Sequence, residues 1–439
     1  MELCKILRDA GIVGAGGAGF PSYAKLAEGA NTLLINGAEC EPLLYTDYSI
    51  LKYEIDKVVA GATGILEKGG IGRAILAIKE HTAKRLGFCD GDSLGKRISV
   101  KVLPNVYPMG DEVSLIYQAT GRVVRPGRLP LSVGVIVFNV ETVYNLAMAL
   151  CGKPVTEKWV TVGGEVERAC VIKAPIGARV SDIFSRLGIT VNETQAVVDG
   201  GPSMGKLIGY TSATVTKTTK GLLVLPAGCE AVTSKKINPK MALSRAETAC
   251  CQCTRCTDLC PRYLMGYPLY PHKMVRTAMG AVSVTPEMVK AATLCCNCGI
   301  CESLACSQGI SAKAVINNYK TLLAKNKMRY EAEGDVTPVK ERDYRQIPTE
   351  RWASALGVRG LDKLPLGVEE ISVRRVEINP SSHIGAKAEI VCRDGQRVSR
   401  GEVIAKATDG LSVNYHAPFD GVVIEALNKI IIDKVDTDV

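Results

Sequence analysis

A chain of 439 residues, 46% of them hydrophobic, is long enough for about three ordinary domains with cores of their own. The formal net charge of +9 arises from 54 basic and 45 acidic residues scattered along the chain, and only five Phe and two Trp could serve as base-stacking platforms, which argues against nucleic-acid binding. No stretch approaches the roughly 18 uninterrupted apolar residues of a membrane span, and the opening MELCKILRDAG lacks the features of an export signal, so a cytoplasmic protein is expected.

Taken in order, Leu3, Ile6, Leu7 and Ala10 fall at helical spacing ahead of a glycine-rich loop. The runs at 32–36, 73–79, 98–104 and 133–140 read as strands, and helical patterns lie between and after them. Residues 1–151 therefore predict an α/β domain with a largely parallel sheet. Short β runs around one helix-like stretch predict a small α+β module at 155–235. Residues 240–325 hold an internal repeat of cysteines, and the polar 326–375 reads as a mobile or surface-draped linker. Short strands with Gly and Asp turns predict an all-β module at 376–439.

Seventeen cysteines in a reducing compartment favour metal or redox work over disulfides. Cys250, Cys253, Cys256 and Cys260 followed by Pro261 spell C-x2-C-x2-C-x3-C-P, the bacterial ferredoxin run. The pattern returns in Cys295, Cys298, Cys301 and Cys306, with a longer last gap and Ser307 in place of proline. Three closely spaced thiolates wrap three corners of a [4Fe–4S] cubane, and the fourth points to the other cluster. Crossed ligation then groups Cys250, Cys253, Cys256 and Cys306 around one cluster and Cys295, Cys298, Cys301 and Cys260 around the second. Two structural zinc sites are the alternative, since C-x2-C is also a zinc half-site. Cys251 and Cys296 are spare, and the other seven cysteines read as buried apolar residues.

The loop GAGGAGFP (14–21) satisfies G-x-G-x-x-G through Gly14, Gly16 and Gly19, with Glu39 about 20 residues on, but it follows a helix rather than a strand as a Rossmann site would require. With NGAECEP (36–42), YPMGDE (107–112) and NVET (139–142), it resembles, in the same order, the four segments of the FMN and NADH pocket in the complex I flavin subunit and in the RnfC protein of the Rnf electron-transport complex. The resemblance implies FMN against Gly14, Gly16, Gly17 and Gly19, with Lys25 at its phosphate. Asn36, Tyr107, Gly110, Asp111 and Asn139 would make polar flavin contacts, and Phe20, Glu41 and Glu112 would face NADH, which enters as substrate. Complex I flavin subunits carry arginine where this chain has Ala15, a departure that bears on nucleotide or phosphate binding.

The 155–235 module is similar to the ligand-binding β-grasp (SLBB) domain of these families, and the C-terminal module resembles the Rnf barrel-sandwich hybrid without an obvious carrier lysine. The whole order looks like the cobalamin reductases of propanediol-utilisation microcompartments. That resemblance implies electron transfer from NADH through FMN and two [4Fe–4S] clusters to oxidised cobalamin, inside a bacterial microcompartment. Implied partners are cobalamin or a cobalamin-handling adenosyltransferase, and other electron-transfer or shell proteins. The alternative is an Rnf-type relay protein that docks on a partner complex. No D-x-H-x-x-G motif is present, and His81, His272, His383 and His416 are dispersed, His272 lying just beyond the first cysteine run.

Overall fold

The computed structural model describes residues 2–283, 285–331 and 334–435. Residues 332 and 333 of the expected linker and 436–439 of the expected C-terminal module lie outside the described residues. Among the described residues no helix is long and apolar enough to cross a membrane.

The N-terminal part is built on a four-stranded parallel sheet in the order Ile98–Leu103, Arg73–Lys79, Thr32–Gly37, Val135–Asn139. Thr32–Gly37 is an almost continuous apolar run because both faces of the sheet are covered. On one face Leu33 and Ile35 meet the helices Ile55–Lys68 and Val140–Leu150. These two helices approach closely at Gly61, where a β-carbon would stand 2.2 Å from the Val143 carbonyl oxygen. On the other face Leu34 and Val137 pack with Leu115 and Ile116 of the helix Glu112–Thr120 and with Met265, Tyr267 and Leu323 of the cysteine-rich part. One sheet thus holds the cysteine region against its back.

The next module is a β-grasp: the hairpin of Glu157–Gly164 and Cys170–Pro175, the helix Val180–Arg186, then Gly221–Pro226 parallel to the first strand. The cysteine region is helical, with Pro239–Ala249, Pro271–Ala278 and Ala312–Lys325 around short turns. The last module is a two-sheet sandwich, one sheet in the order Arg375–Ile378, Ile430–Lys434, Gly421–Ala426, Arg397–Val398, the other Glu389–Ile390, Val403–Lys406, Tyr415–His416.

The expected mobile linker at 326–375 is instead folded into the frame. Ile347–Pro348 pairs antiparallel with Val106–Tyr107, and Val368–Glu370 adds a parallel edge strand beside Cys170–Pro175. Between them the helix Thr349–Ala355 buries Trp352 completely. Its indole stacks on Tyr107, ring centroids 4.8 Å apart and 12° from parallel, and its Nε1 donates to Ser203 Oγ at 2.8 Å. Burial of one large ring and two short strand pairings hold the segment down despite its polar composition.

Truncating that ring removes the anchor. Trp352→Ala is expected to destabilise the protein by about 3–5 kcal/mol, to lower the thermal midpoint, and to open residues 326–375 to limited proteolysis. A connector cut no faster than in the parent would contradict this account.

Candidate flavin and cluster centres

A cleft of about 470 Å³ opens where the parallel strands end, at Asn36 and Asn139, a volume in the usual range for cofactor sites. Its wall includes Gly16 and Gly17, Asn36, Glu39 and Glu41, Tyr107, Gly110 to Glu112, and Asn139. The β-grasp closes it with Asp199 to Gly201, Met204 to Lys206, and Lys220. Cys296 and Cys298 form its inner end.

The glycine loop is pinched at its base, where Gly14 N donates to Phe20 O at 2.8 Å and Gly19 N to Gly14 O at 3.2 Å. Its tip is bare. Gly17 has φ +103° with nothing within 4 Å of where a β-carbon would stand, and the corresponding point on Gly16 meets only Asn139 Cβ at 3.8 Å. Backbone N–H groups can therefore approach a phosphate or a flat ring, a cradle that fits FMN.

Around the cradle the polar side chains are fixed by caps and ion pairs. Asn139 caps the helix Val140–Leu150, accepting from Glu141 N at 3.0 Å, and donates to Asp47 at 2.9 Å. Asn36 donates to Gly110 O at 3.0 Å. Asp111 caps the helix Glu112–Thr120 and pairs with Arg262 of the cysteine region at 2.6 Å. Lys220 pairs with Asp47 at 2.6 Å. Glu39 accepts from Thr46 Oγ1 at 2.7 Å and from two backbone N–H groups; burial, with the charge of Asp47 beside it, pushes its carboxyl up to about 7. Burial likewise raises Asp199 to about 6, so two carboxyls on the cleft wall titrate near neutrality.

The expected site residues divide. Gly16, Gly17, Asn36, Glu41, Tyr107, Gly110, Asp111, Glu112 and Asn139 line the cleft. Gly14 and Gly19 do not; they close the base of the loop. Phe20, expected at the nicotinamide, is also outside the lining, because its carbonyl closes that base below the exposed tip. Lys25 stands behind the wall, donating to Glu112 at 3.1 Å and to the Val137 carbonyl at 3.2 Å. Glu41 is held by the Ser203 and Met204 N–H groups at 2.8 and 2.9 Å. Ala15 is buried, off the cleft, with its N–H donated to Thr142 Oγ1 at 3.1 Å. The β-grasp contributors Asp199, Lys206 and Lys220 were not among the expected site residues, although Asp199 and Lys220 lie in the segments 198–205 and 215–225 that resemble a ligand-binding β-grasp domain.

The thiols stand around two adjoining cavities. Cys250, Cys253, Cys256 and Cys306 surround one, and Cys260, Cys295, Cys298 and Cys301 the other, the grouping that crossed ligation requires. The repeat extends to the backbone. Gln252 and Thr254 flank Cys253 at φ +55° and +62°, and Asn297 and Gly299 flank Cys298 at +61° and +84°. Each left-handed pair curls its turn around a cavity. Among the described residues no three His, Cys, Asp or Glu side chains converge closely enough for a single metal ion. The spare Cys251 and Cys296 border one cavity each. Of the seven cysteines expected to be buried, Cys170 and Cys392 are; Cys4, Cys40 and Cys229 are half-buried, and Cys89 and Cys151 are exposed, one in a loop and one at a helix end. His272 is engaged by Thr257 Oγ1 at 2.6 Å.

Residues 7–148 match the Nuo51 FMN-binding domain, 249–311 a 4Fe-4S dicluster domain, and 367–436 the RnfC barrel sandwich hybrid domain. The cobalamin reductase PduS of Salmonella typhimurium is 39% identical over 96% of this chain and 94% of its own length, and that of Citrobacter freundii 38% over 95% and 93%. The chain belongs to the PduS cobalamin reductase family. A component of the proton-translocating ferredoxin:NAD(+) oxidoreductase complex of Clostridium ljungdahlii is 34% identical over 60% of this chain and 56% of its own. In this chain a flavin domain and a dicluster domain meet at Cys298, which lines both the cleft and a thiol cavity.

Two outcomes are expected. Cys306→Ala and Cys253→Ala should each lose the same cluster, and Cys260→Ala and Cys298→Ala the other, read from iron content and electron paramagnetic resonance of the reduced protein; loss sorted by sequence run instead would refute crossed ligation. Glu39 holds its proton more tightly when folded than its ordinary value of 4.5, so its contribution to stability is full below pH 4.5 and is lost as pH rises through about 7. Glu39→Gln should flatten the fall in thermal stability across that window, and an unchanged pH profile would count against it.

Proposed function

We propose that the protein is an NADH-dependent cobalamin reductase, oxidising one NADH to NAD⁺ and H⁺ while two Co(III) corrinoids become two Co(II) corrinoids. The observation that carries this reading is the contiguity of cleft and cavities: Cys298 borders the cleft and the cavity of Cys260, Cys295 and Cys301, and Cys301 borders both cavities. When bound, FMN and two [4Fe–4S] clusters supply the exchange between two-electron and one-electron chemistry and single-electron conduction.

The chain's own residues bind, orient and shield. The bare Gly16–Ala18 backbone would accept the flavin, and Asn36, Gly110, Asp111 and Asn139 would present fixed polar groups to it. Glu112 and Glu41 would face the nucleotide, and Lys25, held by Glu112 behind the wall, would reach a phosphate only by giving up that bond. Glu39 takes or releases a proton at the wall near neutral pH. The stacked Tyr107 and Trp352 exclude water behind the cleft. The glycine backbone and Lys220 supply the anion contacts that the buried Ala15 does not. By its family the protein would act in the cytoplasm inside a microcompartment, delivering reduced corrinoid to an adenosyltransferase. A relay role is disfavoured because the cobalamin reductases match nearly end to end, the ion-translocating relative over 60% of the chain.

The test is anaerobic. NADH added to the purified protein should bleach the flavin and cluster absorbance, and hydroxocobalamin added next should restore it while turning to the Co(II) spectrum. Flavin and clusters that NADH leaves oxidised would refute NADH dependence, and a reduced protein that hydroxocobalamin fails to reoxidise would refute the reductase.

A further inference from the structure

The helical turn Arg255–Asp258 carries Cys256 and leads to Cys260, so it joins the two thiol cavities. Against the outer side of this turn the folded connector lays Tyr344, Arg345 and, past the short strand Ile347–Pro348, Arg351 of the helix Thr349–Ala355, leaving a groove of about 270 Å³. Three arginines, Arg255, Arg345 and Arg351, face one carboxylate there, Asp258, which lies 3.9 Å from Arg345. Arg255 and Arg351 are exposed and have no ion-pair partner among the described residues. Tyr344 beside them is 92% exposed.

A concave site with two unpaired guanidinium groups attracts an anion, and the planar fork of arginine matches phosphate oxygens. An exposed tyrosine at the rim offers a flat face to an aromatic group. The position gives these features meaning. The inner wall of the groove is the cysteine-bearing turn itself, and its outer wall is tied to the cleft by the pairing of Ile347–Pro348 with Val106–Tyr107.

We infer that this groove is the docking site for the corrinoid acceptor, with the phosphodiester of its nucleotide loop on Arg255, Arg345 and Arg351 and its benzimidazole against Tyr344. This rests on cobalamin being the acceptor, as proposed above. The groove is far smaller than a corrinoid, so it takes the nucleotide loop and leaves the corrin ring outside, along the turn that carries Cys256.

The test compares hydroxocobalamin with cobinamide, which lacks the phosphodiester and the base, by equilibrium dialysis against the full-length, cluster-loaded protein. The parent should bind hydroxocobalamin more tightly than cobinamide. Arg351→Ala should weaken hydroxocobalamin binding roughly 10-fold, the loss of one charge-assisted contact, and leave cobinamide binding unchanged. Iron content and NADH oxidation with menadione, a neutral acceptor, should stay at parental levels, which separates a lost contact from misfolding. Tyr344→Ala should likewise weaken only hydroxocobalamin. Equal weakening of both corrinoids, no effect of Arg351→Ala, or no preference in the parent would each overturn the site. Binding that follows the expected pattern in a protein that NADH cannot drive to reduce the bound corrinoid would leave the site standing and remove the reductase reading.

Discussion

The rest of the structure depends on the side chain of Tyr107. Its ring stacks on Trp352 of the connector, its hydroxyl donates to the Cys298 carbonyl at 2.7 Å, and its backbone pairs with Ile347. Trp352 in turn holds Ser203 of the β-grasp. One phenol therefore fixes four segments of the chain relative to each other at the inner end of the cleft. Stacking of this kind contributes about 0.5–1.5 kcal/mol beyond area burial. Its larger effect is geometric: the loop of Cys298 cannot shift without moving the wall of the flavin cleft.

Charges close the same seams. Three carboxylates of the flavin domain each meet a cation from another segment: Asp47 with Lys220, Glu141 with Lys158, and Asp111 with Arg262. All six side chains are largely buried, so the pairs gain little net stability over apolar packing, but stripping one partner would leave a bare buried charge at a cost of about 3–5 kcal/mol. Such pairs resist sliding more than they add cohesion. They also set the chemistry of the cleft, because Asp47, paired with Lys220, adds to burial in raising the proton affinity of Glu39 next to it.

What could be read from the sequence was local. The parallel strands show as apolar runs, and the cysteine triplets suggest cluster geometry because three thiols fall within seven residues. The grouping of Cys306 with the first triplet also followed, from the direction in which a fourth ligand points. The connector was misread because its strands are two and three residues long, and its anchor, Trp352, sits alone among charged residues. Its partners lie more than a hundred residues away, where no periodicity can report them. The resemblance puts Phe20 at the nicotinamide, whereas the pinch between Gly14 and Phe20 separates a structural base from an exposed tip, a distinction that motif matching does not carry.

The same pinch explains how a module at the far end of the chain bears on the flavin site. Ile384 N of the barrel-sandwich module donates to Gly19 O at 2.9 Å, and Arg8 reaches back to Thr408 O at 2.6 Å. Lys217 of the β-grasp bridges the two sides, donating to Gly11 O and Asn414 O at 2.7 Å each, with its ammonium 4.0 Å from the centre of the Tyr415 ring. Only glycine tolerates position 11, where φ is +74° and a β-carbon would stand 2.5 Å from that ammonium. The glycine loop is thus clamped from below by two modules while its tip stays bare. The C-terminal module, last in the chain, bears on the cleft through packing, because the clamp acts through space on the glycine loop that borders it.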